Sequence, residues 1–234
     1  MRIYNVRIDA VTAQEAVERL IEGEARGRTV FTPNAVMLDA CRRDGRLAKM
    51  LNRSSLSVAD GSGVLLAARR QGEPLPCRVA GIELGERMMR EAAERGLRVF
   101  LLGGREGVAE AARDRLCGEI ENLLICGTYH GYFDKTGKEN EHVCKLIRAS
   151  APDILFVCFG FPVQEEWILR NIKKLPSVRV AAALGGSLDV WSGKLRRAPR
   201  VARAIHLEWA WRMLCEPKRI KNLPALIRVA FLQK

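Results

Sequence analysis

Arg98-Val99-Phe100-Leu101-Leu102-Gly103-Gly104-Arg105-Glu106-Gly107 is an apolar run followed by a glycine turn, and residues 107–120 then carry helical periodicity. A strand that passes through a glycine turn into a helix is the repeating unit of a parallel sheet with crossover helices. The unpaired backbone N–H groups at such a helix start can receive a diphosphate. The turn is not GxGxxG, and GxxxxGK[ST] occurs nowhere in the chain, which argues against a dinucleotide oxidoreductase and a P-loop NTPase.

The same unit recurs on either side. Short apolar runs predict strands at residues 30–32, 56–59, 98–102, 123–126, 154–159 and 179–184, and helical periodicity predicts helices at 35–51, 82–95, 107–120, 139–149 and 165–173. The fold class is therefore α/β, a mostly parallel sheet flanked by helices. Nearly every strand ends in a polar or glycine-rich cluster: Thr32-Pro33-Asn34, Asp60-Gly61-Ser62-Gly63, Gly103-Gly104-Arg105, Gly160-Phe161-Pro162 and Gly185-Gly186-Ser187. Ligands of open α/β sheets bind beyond the carboxyl ends of the strands, so the site is expected among these turns.

The bulk composition sets limits. A chain of 234 residues with 48% hydrophobic content has the length of one generous α/β domain, or of one domain with an appendage. Seven cysteines, an odd number without a CxxC pair, do not suggest a disulfide framework, and Met1 to Ile8 lacks an apolar signal region, so a reducing cytoplasm is expected. The three histidines, His130, His142 and His206, lack metal-ligand spacing. No apolar run reaches the roughly 18 residues that a membrane-spanning helix requires. The net charge of +12 is concentrated at one end: residues 194–234 hold eleven Lys/Arg against two Glu. The expected organisation is a core of residues 1–193 and a basic helical appendage of residues 194–234. Within the appendage, Ala202, Ile205, Trp209 and Met213 share one helical face, and Leu223, Leu226, Ile227, Ala230 and Phe231 form the stripe of a short amphipathic helix. Such a helix lies on an anionic membrane or docks on the domain; the pattern serves both.

Individual turn residues offer chemistry. Asp60, between a strand and a flexible glycine turn, is placed to act as a general base toward a sugar hydroxyl, or to cap the next helix. Thr32 and Asn34 can cap a helix or hold a phosphate or sugar. Gln164 offers a neutral amide that both donates and accepts, suited to uncharged ligand edges, whereas Glu165 and Glu166 suit the positive end of a helix dipole. Asp189, after Gly185-Gly186, can accept from a ribose hydroxyl or a base N–H, or cap its helix. Gly193-Lys194-Leu195-Arg196-Arg197-Ala198-Pro199 then joins this region to the basic tail, which places a surface for an anionic acceptor beside a nucleotide site.

Taken in order, TPN at 32–34, ADG at 59–61, RVAG at 78–81, LLGG at 101–104, GFPVQEEW at 160–167, GGSLDVWSGKLRRAP at 185–199 and LEWAWRMLCEPKR at 207–219 resemble the WecG/TagA/CpsF family of bacterial glycosyltransferases. The set spans nearly the whole chain. The resemblance implies a Rossmann-like catalytic core with a C-terminal appendage that completes the active site at the membrane. It implies metal-independent, inverting transfer of N-acetylmannosamine or a related sugar from a UDP-sugar to undecaprenyl-diphosphate-linked GlcNAc, in teichoic acid or other surface polysaccharide synthesis, at the inner face of the cell membrane. Carried over by motif, Asp60 is the general base, and Thr32, Asn34, Arg78 and Gln164 line the donor and acceptor cleft. Gly103, Gly104, Gly185 and Gly186 stand in the nucleotide-binding turns, and Tyr132 and Asp189 hold the uridine. Arg203, Arg212, Lys218 and Arg219 meet the lipid diphosphate. No cofactor or metal is implied, and the charge of the leaving diphosphate falls to backbone N–H groups and arginines.

Two rival classes fit parts of the sequence. A nucleic-acid-binding module accounts for the net charge and for Trp209 and Trp211 in a basic tail, but not for the ordered polar strand ends. A nicotinamide-dependent oxidoreductase shares the fold pattern but lacks the glycine fingerprint.

Overall fold

The computed structural model describes residues 1–23, 25–199, 208–215 and 217–231. Six strands form one sheet among these residues: β3 (Arg28–Phe31), β4 (Leu56–Ser57), β5 (Arg98–Gly103), β6 (Leu124–Tyr129), β7 (Ile154–Cys158) and β8 (Val180–Ala183). Their order is β4-β3-β8-β7-β5-β6 and every pairing is parallel. The fold is Rossmann-like, as expected. A separate antiparallel hairpin, β1 (Arg2–Ile3) with β2 (Val6–Arg7), precedes it and turns through Tyr4 and Asn5 at positive φ.

Each strand alternates between two cores. Val99, Leu101, Phe156, Val180 and Ala182 face the layer made by α1 (Ala13–Ile21), α5 (Gly81–Glu94), α6 (Val108–Glu119) and α9 (Ser187–Trp191). Phe100, Leu102, Leu155, Val157, Ala181 and Ala183 face the opposite layer. That layer contains α2 (Ala35–Arg43), α3 (Gly45–Leu51), α4 (Ser62–Arg70), α7 (Lys138–Ser150) and α8 (Val163–Asn171). Burial on both faces is why these strands read as continuous apolar runs.

Sequence and structure differ in places. The helix expected over 35–51 breaks at Asp44, which ends α2 and caps α3 by accepting from the N–H of Arg46. Helix α1, absent from the sequence reading, starts in a capping box in which the side chains of Thr12 and Glu15 each accept from the other's backbone N–H. Strand β6 runs three residues past its expected end, to Tyr129.

Two tail helices complete the described structure, α10 (Glu208–Cys215) and α11 (Leu223–Phe231), joined by a 3-10 turn (Pro217–Asn222). Helix α11 packs on α2 and α4. Its buried face is Ala225, Val229 and Ala230 with Leu226 beside them, while Ile227, assigned to the stripe by periodicity, points outward. The docking alternative for this helix is the one realised on its inner face.

The carboxyl ends of the strands are held close together. Gly103, at φ 142°, pairs with Cys158 across β5 and β7, and a Cβ at this position would fall on the carbonyl oxygen of Cys158. Gly104, at φ 69°, leaves equally little room, a Cβ there lying 2.8 Å from Val108. Replacing Gly103 by Ala combines a backbone conformation that L-residues avoid with a clash against main chain, and should cost about 2–4 kcal/mol. Urea denaturation of Gly103→Ala checks this; a midpoint equal to that of the unmodified chain would show that the two strand ends are not in close contact.

Candidate active site

Asn34, Asp60 and Arg78 converge on a cleft of about 280 Å³ beyond the carboxyl ends of β3 and β4. Each is placed by its local chain. Asn34 caps α2 with its side-chain oxygen, which accepts from the N–H groups of Val36 (3.0 Å) and Met37 (3.2 Å), so capping and lining the cleft coincide in one residue. Asp60 sits where its own N–H donates to Pro33 O at 3.0 Å, fastening the ADG turn to the TPN turn. Val79 N donates to Ala59 O at 2.9 Å, which brings the neighbouring Arg78 to the same turn. The Arg78 guanidinium, only 11% exposed, lies 3.5 Å from Glu83 at the start of α5. Thr32 is buried directly behind, its hydroxyl donating to Ala183 O at 3.3 Å.

Helix α4 begins at Gly61 and α6 at Gly107, both at positive φ and both without a side-chain cap. Val108 N donates to Arg105 O at 3.0 Å and Val64 N to Gly61 O at 3.2 Å, and the other N–H groups of these first turns are open to solvent or to an anion.

The turn after β5 meets the turn after β6. Gly131 N donates to Gly104 O at 2.7 Å, and Lys135 fastens the second turn by donating to the carbonyls of Gly131 and Phe133, both at 2.7 Å. Its ammonium lies over the rings of Phe133 and Phe159, at 3.8 and 4.6 Å from their centroids. Burial lowers the Lys135 pKa, the nearby carboxylates Asp134 and Glu139 opposing that shift. Beside this anchor Tyr132 has 71% of its surface exposed. On the other flank Asp189 lies in the first turn of α9, next to Gly186.

Gln164 has a different place from the one expected. It is buried, and its side-chain oxygen accepts from Gly160 N (3.2 Å) and Gly185 N (3.0 Å), so the amide ties the turn after β7 to the turn after β8. Its Nε2 donates to Glu165 at 2.9 Å. Glu165 is fully buried, and its second oxygen has no hydrogen-bond partner among the described residues. Burial pushes its pKa from 4.5 up to about 7, partly offset by the hydrogen bond from Gln164. Glu165 does lie in the first turn of α8, as the helix-dipole pattern suggests, but as a buried carboxyl group whose pKa is raised.

The sequence reading missed the far wall of the cleft as a unit. Trp209 and Met213 from α10, Asn222, and Leu226 from α11 line it as well as Asp60, together with Phe161 from the turn after β7. The shared face of Trp209 and Met213 and the stripe containing Leu226 were visible signals, but neither showed what they would face. Of the expected acceptor residues, Arg203 lies outside the described residues. Arg212 falls on α10, and Lys218 and Arg219 on the 3-10 turn, with their side chains outside what is described.

Comparison with known proteins follows the same lines. The glycosyl transferase WecG/TagA/CpsF family matches over residues 1–234. Proteins of Staphylococcus aureus strains NCTC 8325 / PS 47, COL and MSSA476 are each 35% identical over 228 residues, covering 96% of this chain and 88% of theirs. Each is named N-acetylglucosaminyldiphosphoundecaprenol N-acetyl-beta-D-mannosaminyltransferase.

The raised pKa of Glu165 has a consequence for stability. The folded chain keeps a proton that the unfolded chain releases, so its stability falls as pH rises from about 4.5 to about 7, and the full cost, roughly 3 kcal/mol at most, applies above that range. Glu165→Gln, which cannot ionise, should lose most of the fall in melting temperature between pH 5.5 and 8 and be the more stable form at pH 8. Parallel profiles for the two proteins would show that Glu165 does not titrate in the fold.

Proposed function

The chain belongs to the WecG/TagA/CpsF family of glycosyl transferases, and from that premise we propose that it transfers N-acetylmannosamine, or a related sugar, from a UDP-sugar to undecaprenyl-diphosphate-linked GlcNAc. The observation that carries this reading is the cleft itself, where Asp60, Asn34 and Arg78 from the core face Trp209, Met213 and Leu226 from the tail. A carboxylate, an amide and a guanidinium on one wall suit a sugar hydroxyl and a diphosphate; an apolar opposite wall suits a lipid-linked substrate.

In the proposed mechanism Asp60 takes the proton of the acceptor hydroxyl as its oxygen attacks the anomeric carbon from the face opposite UDP, which inverts the configuration. The departing UDP gains negative charge. In this reading the N–H groups at the starts of α4 and α6 and the guanidinium of Arg78 receive it; of these, Gly61, Ser62, Gly63 and Arg78 line the cleft. Tyr132 and Asp189 hold the uridine, with the backbone of Gly103-Gly104 and Gly185-Gly186 beside the diphosphate. Thr32 and Gln164 shape the donor side from behind, through Ala183, Gly160 and Gly185. The step needs no metal in this reading, since backbone N–H groups and arginine take up the charge of the leaving diphosphate.

The acceptor diphosphate falls to the tail arginines, Arg212 and Arg219 with Arg203 and Lys218. Residues 194–234 act as the appendage of the 1–193 core. None of the described helices is long and apolar enough to cross a membrane. The proposed location is the inner, cytoplasmic face of the cell membrane, where the exposed Leu214, Ile220 and Ile227, with Lys221 among them, face an anionic lipid surface.

Asp60→Asn keeps shape and hydrogen bonding but cannot take the proton. It should lower kcat by roughly 10²–10⁴-fold with UDP affinity unchanged, and the unmodified enzyme should work in excess EDTA. Radiolabel transfer to a synthetic lipid-diphosphate GlcNAc, with calorimetry for UDP, measures both. A loss confined to KM would assign Asp60 to binding, and loss of all activity with EDTA, restored by Mg²⁺, would contradict the metal-independent mechanism.

A further inference from the structure

The grouping of charges at Asp39 lies outside the cleft, and none of the chemistry above uses it. The Asp39 carboxylate, on α2, is fully buried. Two guanidinium groups of its own helix reach it, Arg42 at 3.4 Å and Arg43 at 2.8 Å. A third comes from α11, 189 positions along the chain: Arg228 Nε donates to Oδ1 at 2.9 Å and Nη2 to Oδ2 at 2.8 Å. This two-point contact is the strongest geometry a guanidinium and a carboxylate can adopt, and one partner is withdrawn from water. The hydrogen bonds from Arg228 hold the Asp39 carboxyl below the usual carboxylate range.

The location gives the pair its meaning. Ala35, one helical turn before Asp39 on α2, lines the cleft, and so does Leu226, two residues before Arg228 on α11. Gly63 of α4 keeps the passage narrow: a Cβ there would lie 3.2 Å from Ala35 and 3.9 Å from Leu226. Among the described residues the packed face of α11 is otherwise apolar, Ala225, Val229 and Ala230 with Leu226 beside them, and contacts of this kind are not directional. A directional ion pair fixes register where such a face does not.

We propose that Asp39 and Arg228 form a latch that seats the tail helix against the cleft, making both of them positioning residues for sugar transfer. The pair acts at a distance, through Leu226, Asn222 and the α10 residues that form the far wall. Asp39 does not depend on the latch for its own satisfaction, since Arg42 and Arg43 remain on it. The tail does depend on it. The inference rests on the transfer reaction proposed above.

The test uses the full chain and two substitutions. Arg228→Met keeps the aliphatic stem and removes the charge; Arg228→Lys keeps the charge and loses the two-point geometry. The latch predicts that Arg228→Met binds UDP within about twofold of the unmodified chain, lowers kcat for the lipid-diphosphate acceptor about 10- to 100-fold, and speeds proteolytic removal of the tail. Arg228→Lys should recover part of both losses. Unchanged kcat in Arg228→Met overturns the proposal, whether or not proteolysis accelerates. So does a lost rate with unchanged proteolysis, or a loss of UDP affinity to match, which would mark a general defect of the fold. If the unmodified chain itself fails to transfer, the proposed reaction is what fails, and the proteolysis comparison alone decides whether Arg228 holds the tail.

Discussion

Two backbone N–H groups, of Gly160 and Gly185, converge on one side-chain oxygen, that of Gln164. Partly buried N–H groups left without an acceptor cost about 1–3 kcal/mol each, so these turns, at the ends of β7 and β8, are held to one spacing. The rest of the site is arranged around that spacing. Phe161, one residue past Gly160, enters the cleft; Ser187 and Leu188, just past Gly185, open the helix that carries Asp189. Gly103 pairs with the end of β7, and Gly131 hangs from Gly104, so the turns after β5 and β6 follow in sequence from the same anchor. Glu165 adds a condition, because the carboxyl that accepts from Gln164 is buried and near its ionisation point.

The tail is fixed by different means. At its root, Arg197 donates to both oxygens of Glu86 at 2.9 and 3.0 Å and to Glu83 at 2.9 Å. Glu83 is also the ion-pair partner of Arg78 in the cleft, so one carboxylate connects the start of the tail with the core's basic wall. At the far end Arg228 meets Asp39. Between these two charged anchors the chain contributes Trp209, Met213, Asn222 and Leu226 to the cleft. A tail held at both ends and largely apolar toward the cleft, with Trp209 turned into it, suits a wall for a lipid-linked substrate.

Much of the sheet was legible because strands buried on both faces must be apolar throughout, and runs such as Ile154–Cys158 admit few other readings. The hairpin at residues 2–7 left no such run, its strands being two residues long. Helix α1 carried a readable sign, Thr12 with Glu15 three positions on, that the apolar spacing alone did not bring out. The positions of Asn34 and Asp60 were legible because each stands in a turn at a strand end, and both do line the cleft. Gln164 was legible as a neutral amide of interest but neither as buried nor as a tie, since one of its partners is 21 residues away. The Asp39–Arg228 contact was beyond sequence reasoning: nothing local distinguishes an arginine that solvates from one that returns to a carboxylate 189 positions earlier.

The central claim is a single inverting displacement in the cleft between Asp60 and the tail. Its most direct test is the configuration of the new glycosidic bond, read by NMR from the one-bond carbon–proton coupling at the anomeric carbon of the product. The substrates would be an α-linked UDP-N-acetylmannosamine and a soluble lipid-diphosphate GlcNAc. A β-linked product is the expected result; an α-linked product would mean retention, and with it a nucleophile or mechanism other than direct attack assisted by Asp60.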